Sequence, residues 1–294
     1  MNRRQLITTL SAISLTLAVS VSHAAQPLQV QVYNPGEKAI FPVTSVIISG
    51  EHDAVLIDAQ FQRNDAEQLV QRIKQSGKTL RTVYISHSDP DYYFGLDVIH
   101  AAFPNAKIIA TPQTVAAIKT NMNGKLAYWG PILKENAPQK LILPHALMVD
   151  HLTLEGKAID IKGLKGPSPD RSYLWIPSLK TVAGGVVVAS GIHIWMADTQ
   201  TAQSRKDWQT TLNNIAALKP AIVIPGHFLG EAPKGLGAVT YTSEYIKAFG
   251  AEAAKAKDSA ALVSAMKTRF PQAGQPASLE LSAKVFKGDM KWPQ

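Results

Sequence analysis

The sequence predicts a layered α/β or α+β domain with two sheet halves and helices outside. Three observations lead there. Short apolar runs come first, strand–helix units follow, and the same succession then returns in the second half of the chain. No repeat, low-complexity tract or interdomain linker interrupts it, so residues 25–294 read as a single domain.

The elements follow in order. "LQVQVY", "VTSVIISG" and "AVLIDAQF", separated by turn-forming "NPGEK" and "EHD", read as antiparallel strands. "NDAEQLVQRIKQSG" is a helix with Asn64 as cap, Glu67 three residues on, and a stripe of Ala66, Leu69, Val70 and Ile73. "TVYIS" is a buried strand, and "YYFGLDVIHAAF" is the helix expected after it. "KIIA" is a strand, and Thr111 and Pro112 cap and open the helix "TPQTVAAIKT". Strands and turns return from about Lys140 to Val188. The helix "SRKDWQTTLNNIAALKP" then feeds the strand "AIVIPGH", and two more helical stretches precede "SLELSAKVFKGDMKW".

Composition narrows the function. The chain has no cysteine, which excludes disulfides, a thiolate nucleophile and thiolate metal ligands. Its net charge of +8 comes from scattered lysines and arginines without a basic run, so no nucleic-acid partner is expected. Arg3 and Arg4 precede the apolar "LITTLSAISLTLAVSV", and Ser22 and Ala24 stand at the spacing a signal peptidase reads. Residues 1–24 therefore read as a signal peptide cleaved after Ala24, and the product as periplasmic or secreted. The run is short of the ~20 residues a bilayer span needs. No second long apolar run follows, so no stable membrane span is expected after signal removal. The oligomeric state and the choice between general and twin-arginine export stay open.

The chemistry concentrates in "ISHSDPDYYFGLDV", Ile85 to Val98. His87 and Asp89 alternate at a strand end and leave one face; Asp91 follows where the chain turns into a helix. Imidazole with carboxylates suits zinc, iron or manganese. The fragment alone equally fits Asp89 or Asp91 as a helix cap.

"VLIDAQF", "TVYISHSDPDYYFG" and the late "VIPGHF" together resemble the metallo-β-lactamase superfamily in order and spacing, over about Val43 to Leu229. The resemblance implies an αββα four-layer sandwich with a metal site between two sheets. That family's signature is H-x-H-x-D-H, a later turn histidine, a bridging aspartate and a histidine in P-G-H-G. Here His87, Asp91 and His227 match, but Asp89 and Tyr92 replace histidines. Pro167 stands at the turn histidine, and Gly184 or Gly185 at the bridging aspartate.

The resemblance therefore implies a reduced, mononuclear site in which His87, Asp89, Asp91 and His227 converge on one divalent ion. Zinc is the first expectation and manganese or iron the alternatives, since aspartate for histidine hardens the ligand set. Asp91 would be the catalytic residue orienting a metal-activated water. Tyr92, His193 and Arg171 are candidate substrate contacts, although packing explains His193 and a solvated turn pair explains Asp170 and Arg171. Asp58 reads as support for the motif loop. His145 and His151 read as structural, and Tyr128 and Trp129 as a helix end packed on the sheet. The expected function is an exported metal-dependent hydrolase of an ester, lactone or amide bond in a small molecule. The alternative is a non-catalytic binding protein of the cell envelope that keeps the sandwich and has lost the metal.

Overall fold

The structure, a computed structural model, describes residues 26–292. The expected signal peptide and its cleavage point lie outside the described residues.

Short, almost continuous apolar runs build the first sheet. Strands β1 (Gln29–Tyr33), β2 (Ser45–Ser49) and β3 (Asp53–Ile57) pair antiparallel, as their short connections require. Helical crossovers then add β4 (Thr79–Ile85), β5 (Lys107–Ala110) and β6 (His145–Ala146) in parallel. Val46, Ile48, Val55, Ile57 and Tyr84 point to one face; Ile47, Ala54, Leu56, Val83 and Ile85 point to the other. Both faces are buried, which is why these runs are apolar almost throughout.

The second sheet is a meander of β7 (His151–Leu154), β8 (Lys157–Lys162), β9 (Tyr173–Ile176) and β10 (Thr181–Ala183). Its far edge is β12 (Ile222–Val223), parallel to β10. Leu152, Leu154, Ile159, Ile161, Leu174 and Ile176 meet the first sheet in a shared apolar layer. Between β10 and β12 in sequence lies β11 (Ala189–Ser190), which pairs with β13 (His227–Phe228).

Helices cover the outer faces. Against the first sheet lie α1 (Arg63–Gln75), the short α2 (Pro90–Tyr93), α3 (Leu96–Ala102) and α4 (Pro112–Leu133). Covering the second are α5 (Ala202–Ala217), α6 (Gly237–Lys255), α7 (Ser259–Arg269) and α8 (Pro276–Lys287). The order helix, sheet, sheet, helix is the αββα sandwich. No helix among the described residues is long and apolar enough to cross a membrane.

Three local expectations change. α1 starts two residues early, with Gln62 at the cap position and no side-chain cap; Asn64 lies inside the helix. The helix after the motif is broken, because α2 ends before Gly95 and α3 starts after it. A Cβ at Gly95 would lie 2.1 Å from the Ala59 carbonyl oxygen, so the chain bends where only glycine allows the approach. The tail "SLELSAKVFK" is itself helical, as most of α8. Thr111 caps α4 as expected, accepting from the Thr114 N–H at 3.1 Å.

Candidate functional site

The motif loop leaves the carboxyl end of β4, between the two sheets. Asp58, just past β3, holds its base. Its carboxylate accepts from the Ser86 N–H at 2.8 Å and the Ser86 hydroxyl at 2.6 Å, and Ser86 Oγ accepts from the Gly185 N–H at 2.8 Å. One buried chain of bonds thus joins β3, the motif and the loop after β10. Burial pushes the Asp58 carboxyl up to about 7, against the lowering pull of its bonds to Ser86. Asp58 and Gln60 both adopt left-handed backbone, with φ of 63° and 73°. A non-glycine residue holds that conformation at a cost, which here is offset by the bonds that fix Asp58.

His227 reaches the site from the other half. β13 is parallel to β11, and His227 also forms a bridge with Val43, so its backbone is clamped between the two halves. Its Nε2 lies 2.7 Å from Asp91 Oδ2, and its Nδ1 lies 3.1 Å from the Tyr92 hydroxyl. Tyr92 is wholly buried, and burial first, then the nearby Asp91, Asp58 and Asp89 charges, push its phenol well above the ordinary value. The phenol therefore stays protonated and donates to Nδ1. Nε2–H then donates to Asp91, which leaves the second carboxylate oxygen outside the pair. Gly226 permits this contact: a Cβ there would lie 2.1 Å from the Gly185 carbonyl oxygen and 3.1 Å from the Tyr92 hydroxyl.

The second pair is His87 with Asp89. Asp89 sits at the N-cap position of α2 without capping it. Its Oδ2 lies 3.4 Å from His87 Nδ1, and its Oδ1 accepts from the Lys125 ammonium at 3.1 Å. Burial opposes the charged imidazole of His87, but the Asp89 charge and hydrogen bond outweigh it and raise its pKa. Burial likewise opposes the Asp89 carboxylate, yet His87 and Lys125 hold it well below the usual carboxylate range. The Tyr92 ring stands edge-on 5.5 Å from both histidine rings.

The structure thus brings His87, Asp89, Asp91, Tyr92 and His227 to one loop cluster, but in two separate pairs. The expected convergence of His87, Asp89, Asp91 and His227 on a single ion is not formed. Among the described residues no group of three or more His, Asp or Glu side chains is placed to hold a metal. The physical reasons are specific. Asp91 and His227 satisfy each other, Tyr92 takes the remaining His227 nitrogen, and a lysine occupies Asp89. Of the two glycines at the bridging-aspartate position, Gly185 has no room for a side chain, since a Cβ would meet the Ser172 carbonyl oxygen at 2.3 Å, whereas a Cβ at Gly184 would meet side chains only, from 3.2 Å.

The other candidates lie outside the two pairs, although the Arg171 charge still reaches His87 and Tyr92. His193 is buried beneath α6, with Nδ1 3.1 Å from the Tyr245 hydroxyl, and burial lowers it to about 4. It packs, as the simpler expectation had it, and does not face the loop cluster as a substrate contact. Arg171 is buried with its guanidinium 4.1 Å over the Trp208 ring, so it is not a solvated turn residue. His151 pairs with its neighbour Asp150 and His145 is exposed on β6. Tyr128 is 60% exposed, whereas Trp129 packs on Phe41 and Phe61. Lys125 escaped the sequence reading. It sits mid-helix between Gly124 and Leu126, and nothing local marks a side chain that reaches a loop 36 residues away.

The family profile of the metallo-β-lactamase superfamily matches residues 16–227. The chain belongs to the metallo-β-lactamase superfamily. Solved members share its fold at low identity. A metallo-β-lactamase from Pontibacter korlensis is 16% identical, covering 77% of this chain and 97% of its own, with a TM-score of 0.54. The DIM-1 metallo-β-lactamase is 18% identical, covering 76% and 99%, with a TM-score of 0.53. A curated relative, an uncharacterized Bacillus subtilis (strain 168) protein named YobT, is 31% identical over 75 residues. That match spans 26% of this chain and about a third, 32%, of the relative. Membership of the superfamily supports a hydrolase-like function, and its members typically bind divalent metals such as zinc. In this chain the donors do not fit such an ion. Each pair offers two donors where a catalytic site uses three protein ligands and an open position.

Proposed function

We propose that the protein is an exported hydrolase that splits an ester, lactone or amide-type bond in a small molecule, with Asp91 as general base. The observation that carries this reading is the 2.7 Å contact of Asp91 with His227, made between residues 136 positions apart. His227, itself fixed by Tyr92, orients the carboxylate and leaves Oδ1 for water. Asp91 takes a proton from that water as the oxygen adds to the substrate carbonyl. The proton passes to the leaving group as the tetrahedral intermediate collapses, so the carboxylate is restored. General-base catalysis of this kind contributes ~10²–10⁴-fold. No step passes through a metal. Export is inferred from the basic and apolar N-terminus read above.

Asp91→Asn is the test, with the mature chain assayed against ester, lactone and β-lactam panels. A fall of about 10²-fold in kcat for a substrate that the parent turns over, at unchanged melting temperature, supports the reading. Turnover unaffected by the substitution overturns it.

A second reading has its own support. Both ring nitrogens of His227 and one oxygen each of Asp89 and Asp91 are bonded within the protein, as in a site kept for its shape. On that reading the chain is a binding protein of the cell envelope. Binding of a panel compound without turnover, in parent and variant alike, favours it.

A further inference from the structure

At Asp89 a carboxylate stands where the resemblance to the superfamily leads one to expect a histidine. An imidazole there would present a neutral donor to a metal. A carboxylate adds a negative charge, and the fold answers it from within. Lys125 leaves the middle of α4 and sets its ammonium 3.1 Å from Asp89 Oδ1, with about a quarter of its side chain exposed (27%). On the other side of Asp89, His87 Nδ1 lies 3.4 Å from Oδ2 but accepts from the Asp89 backbone N–H at 3.2 Å, so the side-chain hydrogen bond to the carboxylate comes from Lys125.

The ammonium is also backed. The Trp292 ring lies 5.9 Å from Lys125 Nζ, and Trp292 is held in turn by Trp195, 5.0 Å between ring centroids, and by Gln200, whose amide donates to its carbonyl at 3.2 Å. A cation placed against a carboxylate and an indole face has little reason to swing into water. A divalent ion entering here would have to displace this charge or sit beside it, and like charges at such range repel.

We propose that Lys125 takes the place of a metal ion at the His87–Asp89 half of the site, supplying its positive charge and excluding divalent cations. The proposal shares its location with the hydrolytic reading but not its chemistry. Asp91→Asn kinetics decide the hydrolytic reading, and metal titration decides this one.

The experiment titrates the chelator-treated mature protein with zinc alone and with manganese alone, by calorimetry and by thermal shift. Lys125→Met, Lys125→Arg, His87→Ala and the double variant Lys125→Met with His87→Ala are run beside it. Far-UV circular dichroism shows that each is folded. The parent and Lys125→Arg should bind neither ion saturably. Lys125→Met should bind one of the ions saturably, at least about tenfold more tightly than the weakest affinity the parent titration would detect, and this binding should disappear in the double variant. Saturable binding of either ion by the parent, lost on His87→Ala, overturns the proposal. So does a folded Lys125→Met that gains nothing, or a Lys125→Arg that gains as much.

Discussion

His193→Gln and Asp58→Asn, made separately, should tilt the pH dependence of stability in opposite directions. His193 is 2% exposed, and its Nδ1 is hydrogen-bonded to the Tyr245 hydroxyl at 3.1 Å. Protonation would bring a charge into an apolar cluster, so the fold holds the ring at about 4 against an ordinary 6.5. Between those values the unfolded chain binds the extra proton. His193 therefore contributes stability that is present above about pH 6.5 and lost as pH falls to about 4. At ~1.4 kcal/mol per pH unit, that loss is about 3 kcal/mol.

Asp58 has the reverse sign. It is wholly buried and titrates at about 7 against an ordinary 3.8, so its neutral form suits the fold better. Its contribution is complete below about pH 3.8 and is lost as pH rises through 7, a change of about 4 kcal/mol by the same conversion. Urea unfolding from pH 4 to 7.5 measures both effects as differences from the parent. Relative to the parent, His193→Gln should lose less stability toward pH 4, and Asp58→Asn less toward pH 7.5. The amide oxygen that Asp58→Asn introduces can still accept from the Ser86 N–H, so the fold of this variant should survive. Two curves running parallel to the parent's, or tilting the same way, would refute the reasoning.

Other perturbations test the architecture around the site. Gly226→Ala forces a Cβ to 2.1 Å from the Gly185 carbonyl oxygen, and should cost about 1–3 kcal/mol in urea unfolding while separating Tyr92 from His227. Trp208→Ala removes a buried ring, its 2.8 Å bond to the Val187 carbonyl and the face on which Arg171 rests. The expected loss is about 3–5 kcal/mol, read as a lower denaturation midpoint. Thr111→Ala deletes the cap of α4, the helix that delivers Lys125, and should cost about 1 kcal/mol without altering the far-UV spectrum.

Much of the fold was legible because burial writes itself as pattern. β2, β3 and β4 are buried on both faces and read as apolar runs, and the cap and first-turn proline of α4 are local signals. Local rules failed where a distant contact decided the outcome. Gly95 breaks a helix because the Ala59 carbonyl lies behind it, and α1 begins before its expected cap. Asp89 stands at a cap position yet turns its carboxylate to His87 and Lys125.

The site divides in the same way. Sequence alone marked the candidate residues, because His87, Asp89, Asp91 and His227 stand in motifs whose order and residue types are visible without coordinates. It also showed that Pro167, Gly184 and Gly185 offer no side-chain donor. Only the tertiary structure decided how the remaining groups pair. Asp91 with His227, and Asp89 with Lys125, are joined across 136 and 36 residues, and each pairing depends on a close approach of loops that no local pattern encodes. Donor type is a property of the residue, whereas an ion needs several donors at one point in space, and that point exists only after the chain has folded.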